Sequence, residues 1–366
     1  MNKKNVTRIS YGIYFLIAIC FIFIRMLSSF GAFEFLGSFG SIVFTLLVQV
    51  VLLAGGSIFL FSKFTKNKIK DTLNFFNFKK ISWKSVLLCG LMGIVVFFLN
   101  VFASSFFNSI ISWFGYCPNQ TQTILNDYPI WLLILNLIFT AILPGVCEEV
   151  AHRGMILSSS KKLGRGKAIL ISAVLFGLLH LNIQQVFYAT LIGLFLGYLT
   201  IITGSIYPAM IVHFMNNALS VFLTYSSVKG YLFAKIFLRI EAIFENSLII
   251  GILFVLLFVI ILLYILFRLT ARLFFDTARE RILKGKKLID RECEKQNYFN
   301  AIEIIKDEGI SQSKHQQLSE KTKEQILDFF GVYKVEKLDQ ISKVFLSLCI
   351  VFMSIITIFT FIWGIL

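Results

Sequence analysis

Residues 141–160 read AILPGVCEEVAHRGMILSSS and place four polar, ionisable side chains within one apolar helical run. These side chains are Glu148, Glu149, His152 and Arg153. Crossing a bilayer requires none of them, and a charge at this depth is costly unless it faces a protein interior or a water-filled cavity. The stretch therefore predicts the buried centre of a helical membrane protein. It leaves open whether the centre is a functional site or an ion pair that holds helices together.

The composition of the whole chain agrees with this prediction. Of its 366 residues, 57% are hydrophobic, only 15% are charged and 41 are phenylalanine. An average soluble domain carries about 25% charged residues, so the composition excludes a water-soluble globule and a disordered chain. We expect an all-α, polytopic helical membrane protein with about eight or nine transmembrane helices. The apolar runs lie near 9–27, 39–61, 84–107, 129–157, 167–182, 186–202, 206–224, 246–267 and 343–366.

The same runs predict how the chain is organised. N-terminal transmembrane helices occupy 1–119, a core follows at 120–223, and a further transmembrane helix lies in 224–268. Residues 269–342 form a charged, mostly helical cytoplasmic segment, in which 278–291 and 321–330 are predicted helices. A C-terminal transmembrane helix at 343–366 ends the chain.

Basic residues outnumber acidic ones by 35 to 20, and their positions predict the orientation of the chain. The connection at 62–84 holds seven lysines and one acid, and 161–167 holds four basic residues and no acid. Basic connections collect in the cytoplasm, which predicts a cytoplasmic N-terminus and a C-terminus outside. The composition, rich in Phe, Ile, Lys and Asn, is typical of an AT-rich bacterial genome and predicts a bacterial cell membrane. The basic, aromatic segment 62–83 is predicted to lie on anionic lipid headgroups. Nucleic acid is not an expected partner.

Helical spacing separates the four ionisable side chains into two pairs. Glu149 and Arg153 are four residues apart and can neutralise one another. Glu148 and His152 share a different face, which leaves Glu148 as the carboxylate without a built-in cation. Such a carboxylate can act as a general base.

Two further apolar helices carry polar side chains on one face. Phe176 and His180 lie four residues apart in FGLLH, and His213 and Asn217 do so in HFMNN. A carboxylate, two imidazoles and an amide suit peptide-bond hydrolysis, and two versions remain open. In the first version, Glu148 and His180 activate a water while His213 and Asn217 donate to the oxyanion. Alternatively His180, His213 and Glu148 bind Zn²⁺, which lowers the pKa of its bound water.

The ordered motifs E-E-x-x-x-R, F-x-x-x-H and H-x-x-x-N resemble those of the CPBP family of intramembrane proteases. That family includes the CAAX prenyl endopeptidases and the bacteriocin-immunity (Abi) proteins, and the resemblance covers about 120–223. It implies an α-helical membrane core, endopeptidase activity and a membrane-associated protein or peptide substrate. By matching position it implies that Glu148, His180, His213 and Asn217 are catalytic. Glu149, Arg153 and Phe176 would support them.

The chain departs from the family pattern at His152, where an aromatic residue usually precedes the arginine. His152 can alter the pKa of Glu148, add a metal ligand or fill the space of the aromatic ring, and we favour the last. The competing functions are a non-proteolytic immunity or scaffold protein and a proton-coupled transporter. A Cys147 nucleophile paired with a histidine is a further alternative.

Overall fold

The computed structural model describes residues 3–116, 128–237, 239, 248–293 and 336–363. The described residues form helices joined by short connections, with no β-strand. The prediction of an all-α, polytopic fold is therefore confirmed. The main helices are α1 (Lys3–Ser29), α2 (Gly40–Thr65), α3 (Ile69–Phe75), α4 (Trp83–Trp113), α5 (Ile130–Leu163), α6 (Arg165–Leu179), α7 (Ile183–Thr203), α8 (Tyr207–Lys229), α9 (Leu248–Cys293) and α10 (Gln340–Trp363).

Seven helices of the described part are long and apolar enough to cross a membrane: α1, α2, α4, α5, α7, α9 and α10. The chain is thus an integral membrane protein. The other two predicted spans, 167–182 and 206–224, form α6 and α8 but do not meet this criterion. Helix α6 has 15 residues, or about 22 Å of helix, which is shorter than a hydrocarbon core of about 30 Å. Helix α8 has 23 residues, and its polar residues lower its apolar character.

The basic connections lie together at one end of the bundle. Thr7 near the start of α1 donates to the Ser159 carbonyl (2.9 Å), and Asn77 after α3 donates to Ser158 (2.8 Å). At the same end Arg8 pairs with Asp339, which precedes α10, at 3.1 Å. This grouping is the one that the charge pattern predicts, while the compartment that this end faces stays a prediction.

Two polar segments differ in how far the structure describes them. In the basic segment 62–83, Trp83 is exposed as expected for an interfacial residue, but Phe76 is fully buried. Phe76 packs against Gly154 of α5 and so belongs to the core rather than to the lipid surface. In the charged segment 269–342, α9 continues as helix to Cys293, which confirms the helix predicted at 278–291. The helix predicted at 321–330 lies outside the described residues.

The second half of α5 forms the centre of the bundle. Residues 147–160 are all buried, and their neighbours come from α1, α2, α6 and α8. Helix α5 ends at Leu163 and α6 begins at Arg165, so the chain turns at Gly164, inside the connection between the predicted runs 129–157 and 167–182. The charges that mark this stretch in the sequence therefore point into protein.

Candidate active site

The innermost polar contact is the ion pair between Glu149 and Arg153. Arg153 Nη1 donates to Glu149 Oε1 at 2.9 Å, and both side chains are fully buried. Arg153 Nη2 donates to the Gly193 carbonyl of α7 at 3.0 Å. The Arg153 guanidinium also lies over the Phe176 ring, 4.5 Å from its centroid. The pair that the helical spacing predicts is thus formed, and it links α5 to α6 and α7.

His213 of α8 joins this pair to Glu148. Its Nδ1 donates to Glu149 Oε1 at 2.9 Å, and its Nε2 lies 3.9 Å from Glu148 Oε2. Helices α5 and α8 come this close because Gly145 has no side chain. A Cβ at that position would lie 3.0 Å from the backbone of Phe214.

Glu148 is 9% exposed and has a second partner that the sequence analysis missed. Gln49 Nε2 of α2 donates to Glu148 Oε1 at 2.8 Å, and Gln49 is itself only 9% exposed. Helix α2 widens to π-helical turns over Leu47–Gly56, a feature that often occurs at functional sites. An uncharged glutamine in an apolar run was the one available signal, and it is a weak one.

The predicted span 167–182 implied that His180 lies inside a helix. In the structure His180 instead lies at the end of α6. Leu181 adopts a positive φ of 49°, and Asn182 caps α7 by accepting from the Gln184 amide at 2.9 Å, so a new helix begins there. His180 Nδ1 donates to the Phe176 carbonyl at 3.0 Å. This bond leaves Nε2 as the ring nitrogen that can accept a proton or bind a ligand.

Phe176 is the common neighbour of three imidazole rings. Its ring meets those of His152, His180 and His213 edge to face, at centroid distances of 5.2, 5.3 and 5.4 Å. A single aromatic side chain therefore fixes the relative positions of the histidines and of Arg153.

The two ring nitrogens of His152 contact its own helix and α1. Its Nδ1 donates to the Glu148 carbonyl at 2.7 Å, and its Nε2 lies 2.9 Å from the hydroxyl of Tyr14 in α1. The two rings meet edge to face at 5.4 Å. His152 thus occupies an aromatic environment, in line with the space-filling interpretation.

The remaining predicted residues meet at a cavity of about 430 Å³. Glu148, His180, His213 and Asn217 all line it, together with Gln49. Asn217 Oδ1 accepts from Asn216 Nδ2 at 3.0 Å, which leaves Asn217 Nδ2 available to a ligand. His152, Glu149, Arg153 and Cys147 are not among the residues that line the cavity. The predicted catalytic residues thus come together, and Cys147 lies apart from them.

The donor groups of the site do not match the ligand set of a metal ion. Within the ranges that the structure describes, no three His, Cys, Asp or Glu side chains are spaced to hold one ion. Glu148 and His213 approach each other, but Glu148 Oε1 is engaged by Gln49 and His213 Nδ1 by Glu149. The candidate ligands Glu148, His180 and His213 therefore do not form a three-ligand zinc site in this arrangement.

Comparison with known proteins identifies the segment that carries these residues. Residues 129–219 match the family model described as "Type II CAAX prenyl endopeptidase Rce1-like". A Bacillus subtilis (strain 168) protein described as "Putative membrane peptidase YdiL" is 28% identical over 152 residues, which are 40% of this chain. The alignment covers 62% of that relative, so the chain spans less than two thirds of its length.

No solved structure matches the chain. The matched segment contains Glu148, Glu149, Arg153, Phe176, His180, His213 and Asn217, which are the residues that the three sequence motifs predict. Residues 129–219 are therefore similar to the CAAX prenyl endopeptidase domain of that family model, which supports the resemblance of the three motifs to the CPBP family.

Proposed function

We propose that the protein is an intramembrane endopeptidase that hydrolyses a peptide bond of a membrane-associated protein or peptide. One observation carries the proposal: Glu148, a buried carboxylate, lines the cavity. Its Oε2 lies 3.9 Å from His213 Nε2, and its Oε1 accepts from Gln49 Nε2 at 2.8 Å. A carboxylate buried among apolar helices is costly, and such residues therefore usually mark functional sites. A water-filled cavity beside it is what a general base requires.

The proposed mechanism uses His213 Nε2 as a donor to the substrate. His213 Nδ1 already donates to Glu149 Oε1 at 2.9 Å, so Nε2 is the ring nitrogen that remains for the substrate. It is also the nitrogen nearer to Glu148 and the cavity.

The proposed reaction begins with a water bound between Glu148 and His180. Glu148 takes a proton from this water as the water oxygen attacks the substrate carbonyl carbon. The resulting tetrahedral oxyanion accepts from His213 Nε2 and Asn217 Nδ2. Glu148 then gives the proton to the leaving nitrogen, the C–N bond breaks, and a carboxyl and an amine are released.

Each side chain has a geometry that fits its proposed part. His180 Nδ1 is held by the Phe176 carbonyl, so its Nε2 can accept from the water. Gln49 donates to Glu148 Oε1, which orients the carboxylate and leaves Oε2 toward His213. Donors to an oxyanion are each worth about 10²–10³-fold in kcat.

The substrate is proposed at the level that the family indicates. The Rce1-like match supports a prenylated C-a-a-X protein, and a bacteriocin or another membrane-anchored peptide is the alternative of the same class. We also propose that the basic end of the bundle, including 62–84 and 161–167, lies on anionic lipid headgroups. Such contacts would hold the cavity at a constant depth relative to a lipid-anchored substrate.

The proposal is tested with the purified full-length chain in proteoliposomes. The substrates are a farnesylated C-a-a-X peptide carrying a fluorophore and a quencher, and a library of membrane-spanning peptides analysed by mass spectrometry. We expect the wild type to cleave one of them and to place one ¹⁸O atom from H₂¹⁸O in the new carboxyl group. Glu148→Gln should not cleave, whereas Cys147→Ala should remain active.

The same assay with a chelator distinguishes the two versions of the chemistry. Cleavage that survives the chelator supports activation of water by Glu148 without a metal. Loss on chelation that Zn²⁺ restores would overturn this version in favour of zinc held by Glu148, His180 and His213. Absence of cleavage of every substrate would refute the endopeptidase and favour a non-proteolytic immunity or scaffold protein. Equal cleavage by Glu148→Gln would refute Glu148 as the general base.

A further inference from the structure

Three asparagine side chains form a directed chain of hydrogen bonds at the edge of the cavity. Asn100 Nδ2 of α4 donates to Asn216 Oδ1 of α8 at 3.3 Å, and Asn216 Nδ2 donates to Asn217 Oδ1 at 3.0 Å. All three residues line the cavity. Asn100 lies outside the segment 129–219, so the family match does not include it.

The chain forms because α4 and α8 pack unusually closely. Gly93 lies about two helical turns before Asn100, and a Cβ on it would lie 2.3 Å from Met215 Cβ and 3.3 Å from the Val212 carbonyl. Only a glycine permits this approach of the two helices. Since the same faces continue along both helices, Asn100 comes within reach of Asn216.

The direction of the chain decides which end of Asn217 faces a substrate. An amide has one oxygen that accepts and one nitrogen that donates. Because Asn100 donates to Asn216, Asn216 presents its own nitrogen to Asn217 and engages the Asn217 oxygen. Asn217 Nδ2 is then the free end, and it is a donor.

We propose that Asn100 is a positioning residue that acts through Asn216 to hold Asn217 with its amide nitrogen toward the cavity. The inference rests on the proposed endopeptidase function, in which Asn217 donates to the oxyanion. Without the chain, Asn217 could turn its oxygen to the cavity, and an oxygen would repel the oxyanion. A residue of α4 thus sets the polarity of a catalytic group of α8.

The inference is tested by replacing Asn100 with side chains of similar size and different hydrogen-bonding capacity. An ionised carboxylate only accepts, so Asn100→Asp forces Asn216 and then Asn217 to reverse. A protonated carboxyl can donate and restores the original direction. Asn100→Leu removes both capacities and serves as the apolar control. Asn108→Asp places the same carboxylate two turns further along α4, away from the residues that line the cavity.

The measurement is kcat between pH 5 and pH 9, divided by the wild-type kcat at the same pH, on whichever peptide the wild type cleaves fastest. For Asn100→Asp we expect this ratio to fall as the carboxyl ionises, by up to the 10²–10³-fold that loss of one oxyanion donor costs. KM should change little. For Asn100→Leu and Asn108→Asp the ratio should not depend on pH.

Asn216→Asp gives an independent test should Asn100→Asp fail to fold. Its ionised carboxylate accepts from Asn100 and also from Asn217, so it withdraws the Asn217 nitrogen from the cavity. We expect the same fall in the kcat ratio with rising pH. This variant leaves Asn100 and the contact at Gly93 unchanged.

Two results would overturn the inference. A wild-type kcat for both carboxylate variants across the pH range would mean that the chain runs in the opposite direction or does not affect catalysis. An equal, pH-independent loss in Asn100→Asp and Asn100→Leu would mean that Asn100 only packs. Either result leaves the proposed function intact provided Glu148→Gln is inactive, whereas a wild type that cleaves no substrate refutes the proposed function itself.

Discussion

The segment 129–219 and the helices before it contribute different chemistry to one cavity. Among the described lining residues, those with ionisable acid or imidazole side chains, Glu148, His180 and His213, all lie in that segment. Helices α2 and α4 instead contribute Gln49 and Asn100, two neutral amides that each bond to a group of the segment. In the proposed mechanism, segment 129–219 supplies the reacting groups while the flanking helices orient them.

Breaking the ion pair inside the family segment should have the largest effect. Arg153→Met leaves Glu149 as a buried carboxylate without its cation, and such a change costs about 3–5 kcal/mol of the free energy of unfolding. We expect a strong loss of monodisperse protein in size-exclusion chromatography and a much lower Tm. Lys167→Met, an exposed change on α6, should stay within about 0.5 kcal/mol of the wild type. A wild-type Tm for Arg153→Met would show that the pair does not hold the core.

Replacing the amide of α2 should reduce catalysis and leave folding largely intact. Gln49→Leu removes the donor to Glu148 Oε1. We expect kcat to fall about 10–100-fold, the loss that is typical when a group that orients a functional side chain is removed. Gln49→Glu also removes the amide donor to Glu148, so its kcat should fall at least as far. A wild-type kcat in both variants would remove Gln49 from the site.

A smaller effect is expected at His152, which lies in the family segment but outside the cavity lining. His152→Phe keeps a ring between Tyr14 and Phe176 and loses the bonds to the Glu148 carbonyl and to Tyr14. We expect a loss of about 1–2 kcal/mol of stability and a kcat within a few-fold of the wild type. A loss of kcat as large as that of His180→Ala would give His152 a chemical role instead.

The smallest effect belongs to the contact between the first and last helices. Partial burial alone would raise the pKa of Asp339. Hydrogen bonds from Ser342 and from Arg8 outweigh this effect and lower the pKa to about 2 from 3.8. The lowered pKa means that this contact stabilises the fold above about pH 3.8 and is lost as the pH falls through 2. Asp339→Asn should cost at most about 1 kcal/mol near pH 6, since the pair is partly exposed. The Tm difference from the wild type should shrink below pH 4. A difference that stays constant down to pH 2 would contradict this assignment.

The sequence predicts the charged part of the site well because charge is rare in apolar helices. Glu149 and Arg153 pair at the spacing of one helical turn, and Gly164 turns the chain where a hairpin is expected. The cavity then contains all four residues that were predicted to be catalytic. Their chemical roles stay predictions, which the variants above address.

The neutral contributors are hard to predict for a physical reason. Gln49, Asn100 and Tyr14 are single polar residues in apolar helices, and such residues are as compatible with an ordinary helix-to-helix contact as with a site. Their partners lie 99, 116 and 138 positions away in the chain. Only the packing of α1, α2 and α4 around α5 and α8 brings them together. The end of α6 at His180 was likewise set by the cap at Asn182 rather than by hydrophobicity.

The central claim is that Glu148, and not its neighbour Glu149, removes the proton from water. The most direct test is the single-turnover cleavage rate of Glu148→Gln per folded molecule, measured beside the wild type in the same proteoliposomes. We predict a rate at least about 10³-fold lower, within the range of general base catalysis, with a Tm close to that of the wild type. A rate within tenfold of the wild type would contradict the account.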